Sequence, residues 1–314
     1  MSWFKKKAKP RKLNISATLQ DDTRTNTTPI LDGDENAATP VEGANLGKLA
    51  RLHPFSPVAI SLLHLFDRED VDIREIGRLV GSDAALAAET LAYVNSPLFS
   101  MREPVTELSH AITILGAEKT KALATTLAMR SMLKSAPKAA VVRRIWKHSI
   151  ATAVVAAELA PVFGVGPDLA NTAGVLHDVG RLGLLAQYGE DYARIVLSLY
   201  DDVDAILKEE REICALDHCN VGMYLGKVWK LPEVFQEVAE KHHRTDLKTG
   251  LMGLIHASCA MADDLGFSAI AHRRVMNIDD RLLDCVDESL RAKVKGCWEG
   301  AEKRVSEKVN LLDF

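Results

Sequence analysis

A chain of 314 residues with 47% hydrophobic and 26% charged residues has the composition of an ordinary soluble protein, and its length suggests roughly two domains, or one with tails. A net charge of -4 excludes a strongly basic nucleic-acid binder, and 5% aromatic residues leave few platforms for stacking single-stranded bases. Five cysteines, odd in number and without CxxC spacing, fit a reduced cytoplasmic compartment better than a disulfide framework, and no apolar run approaches the ~18 residues of a membrane span.

Residues 1–44 read as a disordered tail. A basic run from Lys5 to Lys12 has no apolar stretch behind it, so it is not a signal peptide, and the Thr/Asn/Asp-rich segment that follows offers nothing to bury. From Leu46 the pattern becomes helical. Val58, Leu62, Leu65 and Phe66 share a face, Ile73, Ile76, Leu79 and Val80 repeat the stripe, and Gly81-Ser82-Asp83 stops one helix and caps the next. Ala84 to Val94 forms a helix ended by Asn95-Ser96-Pro97, with Asn95 bracing the break. Ser109 to Leu115 and Lys119 to Leu133 follow, separated at Gly116.

A second helical segment opens with Val141 to Val162, apolar nearly all round and therefore buried on most sides, with His148 inside it. Gly166-Pro167-Asp168 starts the next helix, with Asp168 as N-cap, and that helix carries His177-Asp178 and ends at Gly180. Leu184 to Leu207 reads as one helix with an exposed acidic surface. Leu216 to Trp229, Pro232 to His243 and Leu251 to Leu265 complete the set, and Arg281 to Val294 forms one terminal amphipathic helix used for packing. No strand of period two is present, which points to an all-α fold.

Imidazole and carboxylate are the usual ligands of divalent first-row metals. Neighbouring His177 and Asp178 would point about 100° apart on a helix, so a site can use both only beside a helix end. His148, His218 and His242 or His243, each from a different helix, complete a candidate centre in which Asp178 could bridge two metals, as phosphate-cleaving two-metal sites require. Cys214 and Cys219, five apart, are a weak zinc signal, and His256 faces a neighbouring helix.

The runs Trp146-Lys-His-Ser-Ile, Leu176-His-Asp-Val-Gly-Arg, Asp217-His-Cys-Asn-Val-Gly, Trp229-Lys-Leu-Pro-Glu and His242-His243 resemble the HDOD family, a relative of the HD and HD-GYP metal-dependent phosphohydrolases. His53-Pro-Phe-Ser-Pro, Asn95-Ser-Pro-Leu-Phe and Ala111-Ile-Thr-Ile-Leu-Gly extend the resemblance over residues 45 to 267. It implies two packed helical subdomains, residues 45–138 and an HD-like 139–267, followed by an extension over 268–314. It also implies a bacterial signalling module that works through other signalling proteins.

Departures from the active pattern set the functional expectation. Arg181 stands where active relatives have a lysine placed against the phosphate, and would be the catalytic cation if the chain were a phosphohydrolase. No Gly-Tyr-Pro follows His242-His243, and Arg144 occupies a position where some members hold a metal-binding glutamate. Cys259 falls where the family has its last metal aspartate, and Asp263 lies one turn on, so that ligand is Asp263 or Cys259. The expectation is a non-catalytic regulatory module retaining an HD-like pocket for a divalent Fe, Mn or Zn ion. The alternative is a metal-dependent phosphodiesterase acting on a nucleotide or cyclic dinucleotide such as cyclic di-GMP.

Overall fold

The computed structural model describes residues 57–312 apart from 69, 135–138, 273–275 and 299. The disordered tail expected over 1–44 and the motif at His53 lie outside these residues. Helices dominate what is described. The amino-terminal group is α1 (Pro57–His64), α2 (Ile73–Gly81), α3 (Ala84–Val94), α4 (Leu108–Leu115) and α5 (Ala117–Lys134). Asp83 caps α3 by accepting from the Ala85 and Leu86 amides. Asn95 braces the break after α3, donating to Val105 O at 2.8 Å and accepting from Val105 N at 2.7 Å. Gly116 takes φ +76° between α4 and α5, a conformation open to glycine at little cost.

The second group comprises α6 (Ala139–Leu159), α7 (Pro167–Leu176), α8 (Val179–Tyr188), α9 (Glu190–Leu197), α10 (Val203–Cys214), α11 (His218–Val228), α12 (Glu233–Lys241) and α13 (Gly250–Asp264). α6 is the central rod. Ile145, Trp146, Ile150, Val154, Val155 and Leu159 are all buried on it, and α7, α13 and the last helix of the chain pack around it.

Several boundaries differ from the sequence reading. Gly166, not Asp168, is the N-cap of α7, with Pro167 in its first turn. That helix stops at Leu176, before His177-Asp178, and Gly180 lies inside α8 instead of ending a helix. The long helix expected over 184–207 is broken at Gly189, whose φ of +54° turns the chain between α8 and α9. It is broken again by β1 (Leu199–Tyr200), which pairs in parallel with β2 (Ala271–His272), Leu199 opposite Ala271. Two residues per strand carry no periodic signal.

One terminal helix was expected where the structure has three: α14 (Ile278–Cys285), α15 (Glu288–Trp298) and α16 (Ala301–Leu312). The last of the three, beyond the helix expected over 281–294, packs on α6. Trp146 Nε1 donates to Leu312 O at 3.2 Å, and Glu158 of α6 binds Arg304 and Lys308 of α16 at 2.7 and 3.1 Å.

A buried lysine fixes the end of the first group that meets the second. Lys121 Nζ donates to Leu65 O at 3.2 Å, pairs with Glu118 at 2.7 Å and sits 4.5 Å from the centre of the Phe66 ring. Phe66 in turn meets Phe235 of α12 edge to face at 5.8 Å.

Candidate metal centre

The chain leaves α7 at His177, and Asp178 (φ -101°, ψ 16°) begins α8 from a non-helical conformation. Breaking the helix between these residues removes the 100° divergence of helical neighbours, so both side chains reach one centre. Two close helix approaches bring up the partners. A Cβ on Gly174 would lie 2.5 Å from Ala153 Cα, so α7 and α6 touch at the backbone and place His177 against His148. A Cβ on Gly180 would lie 1.8 Å from His218 O, so α8 meets the start of α11 with no room for a side chain.

The centre is dry. His177, His218 and His242 are fully buried, Asp178 is 1% exposed and His148 2%. Each ring is fixed by its Nδ1. His177 Nδ1 donates to Gly174 O at 2.7 Å, His242 Nδ1 to Ala239 O at 3.1 Å, His148 Nδ1 to Phe267 O at 3.0 Å and His218 Nδ1 to Glu210 Oε2 at 2.7 Å. These oxygens can only accept, so a hydrogen sits on each Nδ1, and each Nε2, which carries a lone pair wherever the ring is neutral, points inward, as second-shell partners fix it in metal-ligating histidines.

Between neutral rings, lone pair then faces lone pair. His148 and His177 Nε2 atoms are 3.3 Å apart and His218 and His242 3.3 Å, while His243, with no Nδ1 partner among the described residues to set its tautomer, brings its Nε2 to 3.1 Å from His218. Two nitrogens bound to one metal at ~2.0–2.1 Å, at octahedral or tetrahedral angles, lie roughly 2.8–3.4 Å apart. Facing lone pairs at such distances call for a positive charge between them. Burial pulls His177 well below the ordinary histidine value, while for His148 the same burial is outweighed by Cys259 and Asp263, which hold it well above. His218 is likewise raised, with Cys219, Glu210 and Asp178 overcoming burial and the Arg181 charge, and its neighbours His242 and His243 are lowered, first by burial. Each of these three Nε2 pairs thus couples a raised ring with a lowered one, an arrangement that accommodates a shared proton or a cation between the two nitrogens.

Asp178 stands between two sets of rings. Its Oδ1 lies 3.3 Å from His218 Nε2 and 3.5 Å from His242 Nε2, and is buried without a hydrogen bond among the described residues. That orphaned carboxylate oxygen, with lone pairs converging on it, fits a cation. Its Oδ2 lies 3.6 and 3.8 Å from His148 and His177 Nε2, but accepts from Arg181 Nε at 2.7 Å. Despite its burial, Asp178 is held well below the carboxylate range by the charges of Arg181, His177 and His218.

Arg181 is 4% exposed. Its Nη1 donates to Glu210 Oε1 at 2.9 Å and reaches Tyr192 Oη at 3.3 Å, and the tyrosine hydroxyl donates to the same carboxylate oxygen at 2.9 Å. Against the desolvation of burial, the charges of His218 and Arg181 hold Glu210 down at about 2, so it is ionised. The sequence reading missed Glu210 and Tyr192. Glu210 sits in a run of surface acids, Glu209 and Glu212 among them, and the signal that separates it is its i, i+4 spacing from Ile206 and Cys214 on the buried stripe of α10.

The remaining candidates sort cleanly. Cys259 Sγ lies 3.5 Å from His148 Nε2 and joins His148 and His177 in a group of ligand atoms within 4.8 Å of one another. Asp263 meets the opposite edge of that ring, 3.3 Å from Nδ1, where it orients the histidine from behind. Cys219, set aside in the sequence, joins His218, His242 and half-buried His243 in a second group; both thiols are pushed up first by burial. His256 Nδ1 donates to His242 O at 2.9 Å, away from the centre, and Arg144 donates to Ser268 O at 3.2 Å.

A cleft of about 130 Å³ opens beside His243 and Cys259, with Asp202, Asp204, Asp263 and Asp284 on its walls. The cation lining it, Arg281, is bound to Asp264 at 2.6 Å. Its volume is well under the ~300–1,000 Å³ of ordinary ligand pockets, and its charge opposes an anionic substrate.

The HDOD domain model matches residues 52–245. An uncharacterized protein of Treponema pallidum (strain Nichols) is 22% identical over 192 residues, 59% of this chain, and the match spans 36% of that relative's length. An HDOD domain protein of unknown function from Geobacter sulfurreducens superposes with a TM-score of 0.69 at 21% identity, covering 84% of this chain and 97% of its own. A Shewanella amazonensis SB2B protein with a provisional phosphohydrolase name gives 0.63 at 18% identity, covering 85% and 99%. One from Marinobacter aquaeolei VT8, provisionally named for signal transduction, gives 0.62 at 17% identity, covering 86% and 62%. At these identities the structural likenesses speak to fold, while the domain model spans more than half of the sequence: the chain belongs to the HDOD domain family.

Proposed function

We propose that this HDOD protein is a regulatory module of bacterial signalling that acts through contacts with other signalling proteins and does not turn over a substrate. The helices up to about residue 138 are the partner-facing part, and the HD-like centre is kept as a closed cation site. What carries this reading is the state of Arg181. The cation at the position of a phosphate-stabilising lysine is buried and committed to Asp178 Oδ2, Glu210 and Tyr192. Its Nε and Nη1 are taken up inside the protein, which leaves only Nη2 for a phosphate, and the carboxylate oxygen a second metal would need is already bonded. The acidic walls of the adjoining cleft act in the same direction.

A divalent Fe, Mn or Zn ion would be held by His148, His177 and Cys259, by His177, Asp178 and His242, or by His218, His242, His243 and Cys219. Bound there, the ion would supply Lewis acidity and a cross-link between helices. The alternative, a metal-dependent phosphodiesterase acting on a nucleotide or cyclic dinucleotide, is favoured by the same donor set. Incubating the metal-loaded chain with cyclic di-GMP and with a generic phosphodiester separates the two. No hydrolysis is expected; hydrolysis abolished by His177→Ala would establish the alternative.

A further inference from the structure

A larger cleft, about 400 Å³, lies away from the histidine centre and shares no lining residue with it. It is framed by α3, the Pro97–Phe99 turn, α5, α6, α7 and α16. Its volume falls within the ~300–1,000 Å³ range of small-molecule sites. The walls combine apolar side chains such as Leu98, Leu123 and Val154 with an aromatic pair, Tyr93 and Phe99, whose rings meet at 5.5 Å.

Two carboxylates line this space, and one of them, Glu158, is bound to Arg304 and Lys308. Asp168, in the first turn of α7, is half-buried, and its side chain makes no hydrogen bond or ion pair among the described residues. Lys119 lines the same cleft, and no ion pair between it and Asp168 is found among the described residues. Lys308, also on the wall, is bound to Glu158 at 3.1 Å. Burial pushes the Asp168 carboxyl up, and its charge in turn helps raise Tyr93. A partly desolvated carboxylate beside aromatic faces and apolar walls has the features that recognise an organic ammonium: a charge-assisted hydrogen bond at one end, ring quadrupoles around it and apolar contact beyond.

We infer that this cleft binds a small organic ammonium ion with an apolar body, its nitrogen held by Asp168 and the Tyr93 ring. Asp168 opens the helix whose last residue precedes His177, roughly 14 Å further along the axis. A ligand here therefore bears on α6 and α7, the two helices that position His148 and His177.

The test uses the full chain and two probes of matched body and opposite charge, phenethylamine and 3-phenylpropionate, followed by titration calorimetry. Phenethylamine is expected to saturate one site, with 3-phenylpropionate at least about tenfold weaker, the scale of one charge-assisted hydrogen bond. Asp168→Asn, checked for folding by its circular dichroism melt, is expected to weaken phenethylamine by about the same factor. The inference is overturned by no saturable binding up to about 10 mM, by equal binding of the two probes, or by undiminished binding to folded Asp168→Asn. If that variant does not fold, the two probes on the unaltered chain decide alone.

Discussion

Arg181 Nε donates to Asp178 Oδ2 at 2.7 Å, and this one bond divides the HD aspartate into two unlike halves. The other oxygen, Oδ1, is left facing the Nε2 atoms of His218 and His242 without a hydrogen bond of its own. One half is satisfied by protein and the other is shaped for a cation. A lysine point charge at this position could leave both oxygens to metal, whereas the planar guanidinium bonds Asp178 and Glu210 together.

Removing that guanidinium exposes its structural share. Arg181→Ala leaves Asp178 and Glu210 buried and uncompensated, with an expected loss of about 3–5 kcal/mol. Arg181→Lys keeps the charge but cannot span Asp178, Glu210 and Tyr192 together, so it falls between the alanine variant and the unaltered chain. Urea denaturation of the three proteins checks the order; equal midpoints would remove Arg181 from the core of the fold.

The contact of α8 with α11 makes a sharper steric prediction. Gly180→Ala places a carbon 1.8 Å from His218 O and 2.6 Å from Gly222 N, both backbone atoms that cannot rotate away. The helices must separate, at a cost of about 1–3 kcal/mol or more, and His218 is carried away from His242. A lowered melting temperature together with a loss of bound metal is the expected pair of results.

Glu158 gives a pH dependence with a definite sign. Burial raises its carboxyl, but the hydrogen bonds from Arg304 and Lys308 outweigh that and leave it below its ordinary 4.5. A carboxylate depressed in the folded state stabilises fully above its ordinary value, and that contribution disappears as the pH falls through the lowered native value. Glu158→Gln should therefore speed amide exchange in α16 near neutral pH, and the difference from the unaltered chain should vanish in acid. A difference that persists at low pH would assign it to packing.

How much of this was legible in the sequence depended on the reach of each signal. Local chemistry read well: Asp83 caps α3 and Asn95 braces the break before Pro97 because each acts on backbone within ten residues. The gathering of His148, His177, His218 and His242 was legible from the order of motifs. The break between α7 and α8 was not, because Ala173 to Leu184 holds no proline or turn cluster to mark it, and the close helix approaches at Gly174 and Gly180 that flank it involve residues distant in sequence. Glu210 was hidden for a similar reason. Its charge is that of its surface neighbours, and its burial depends on Arg181, 29 residues earlier in the chain. The choice between Cys259 and Asp263 turned on which edge of the His148 ring each one meets, and spacing along one helix does not contain that information.

The most direct measurement is of the centre itself: elemental analysis of chain purified without chelator, beside His218→Ala, followed by x-ray absorption at the edge of whatever metal is found. Inward-turned Nε2 atoms 3.3 Å apart predict a retained divalent ion with histidine nitrogens at about 2.0–2.2 Å, lost in the variant. A folded, unaltered chain that holds no metal, and takes up none when Zn, Mn or Fe(II) is supplied, would contradict it.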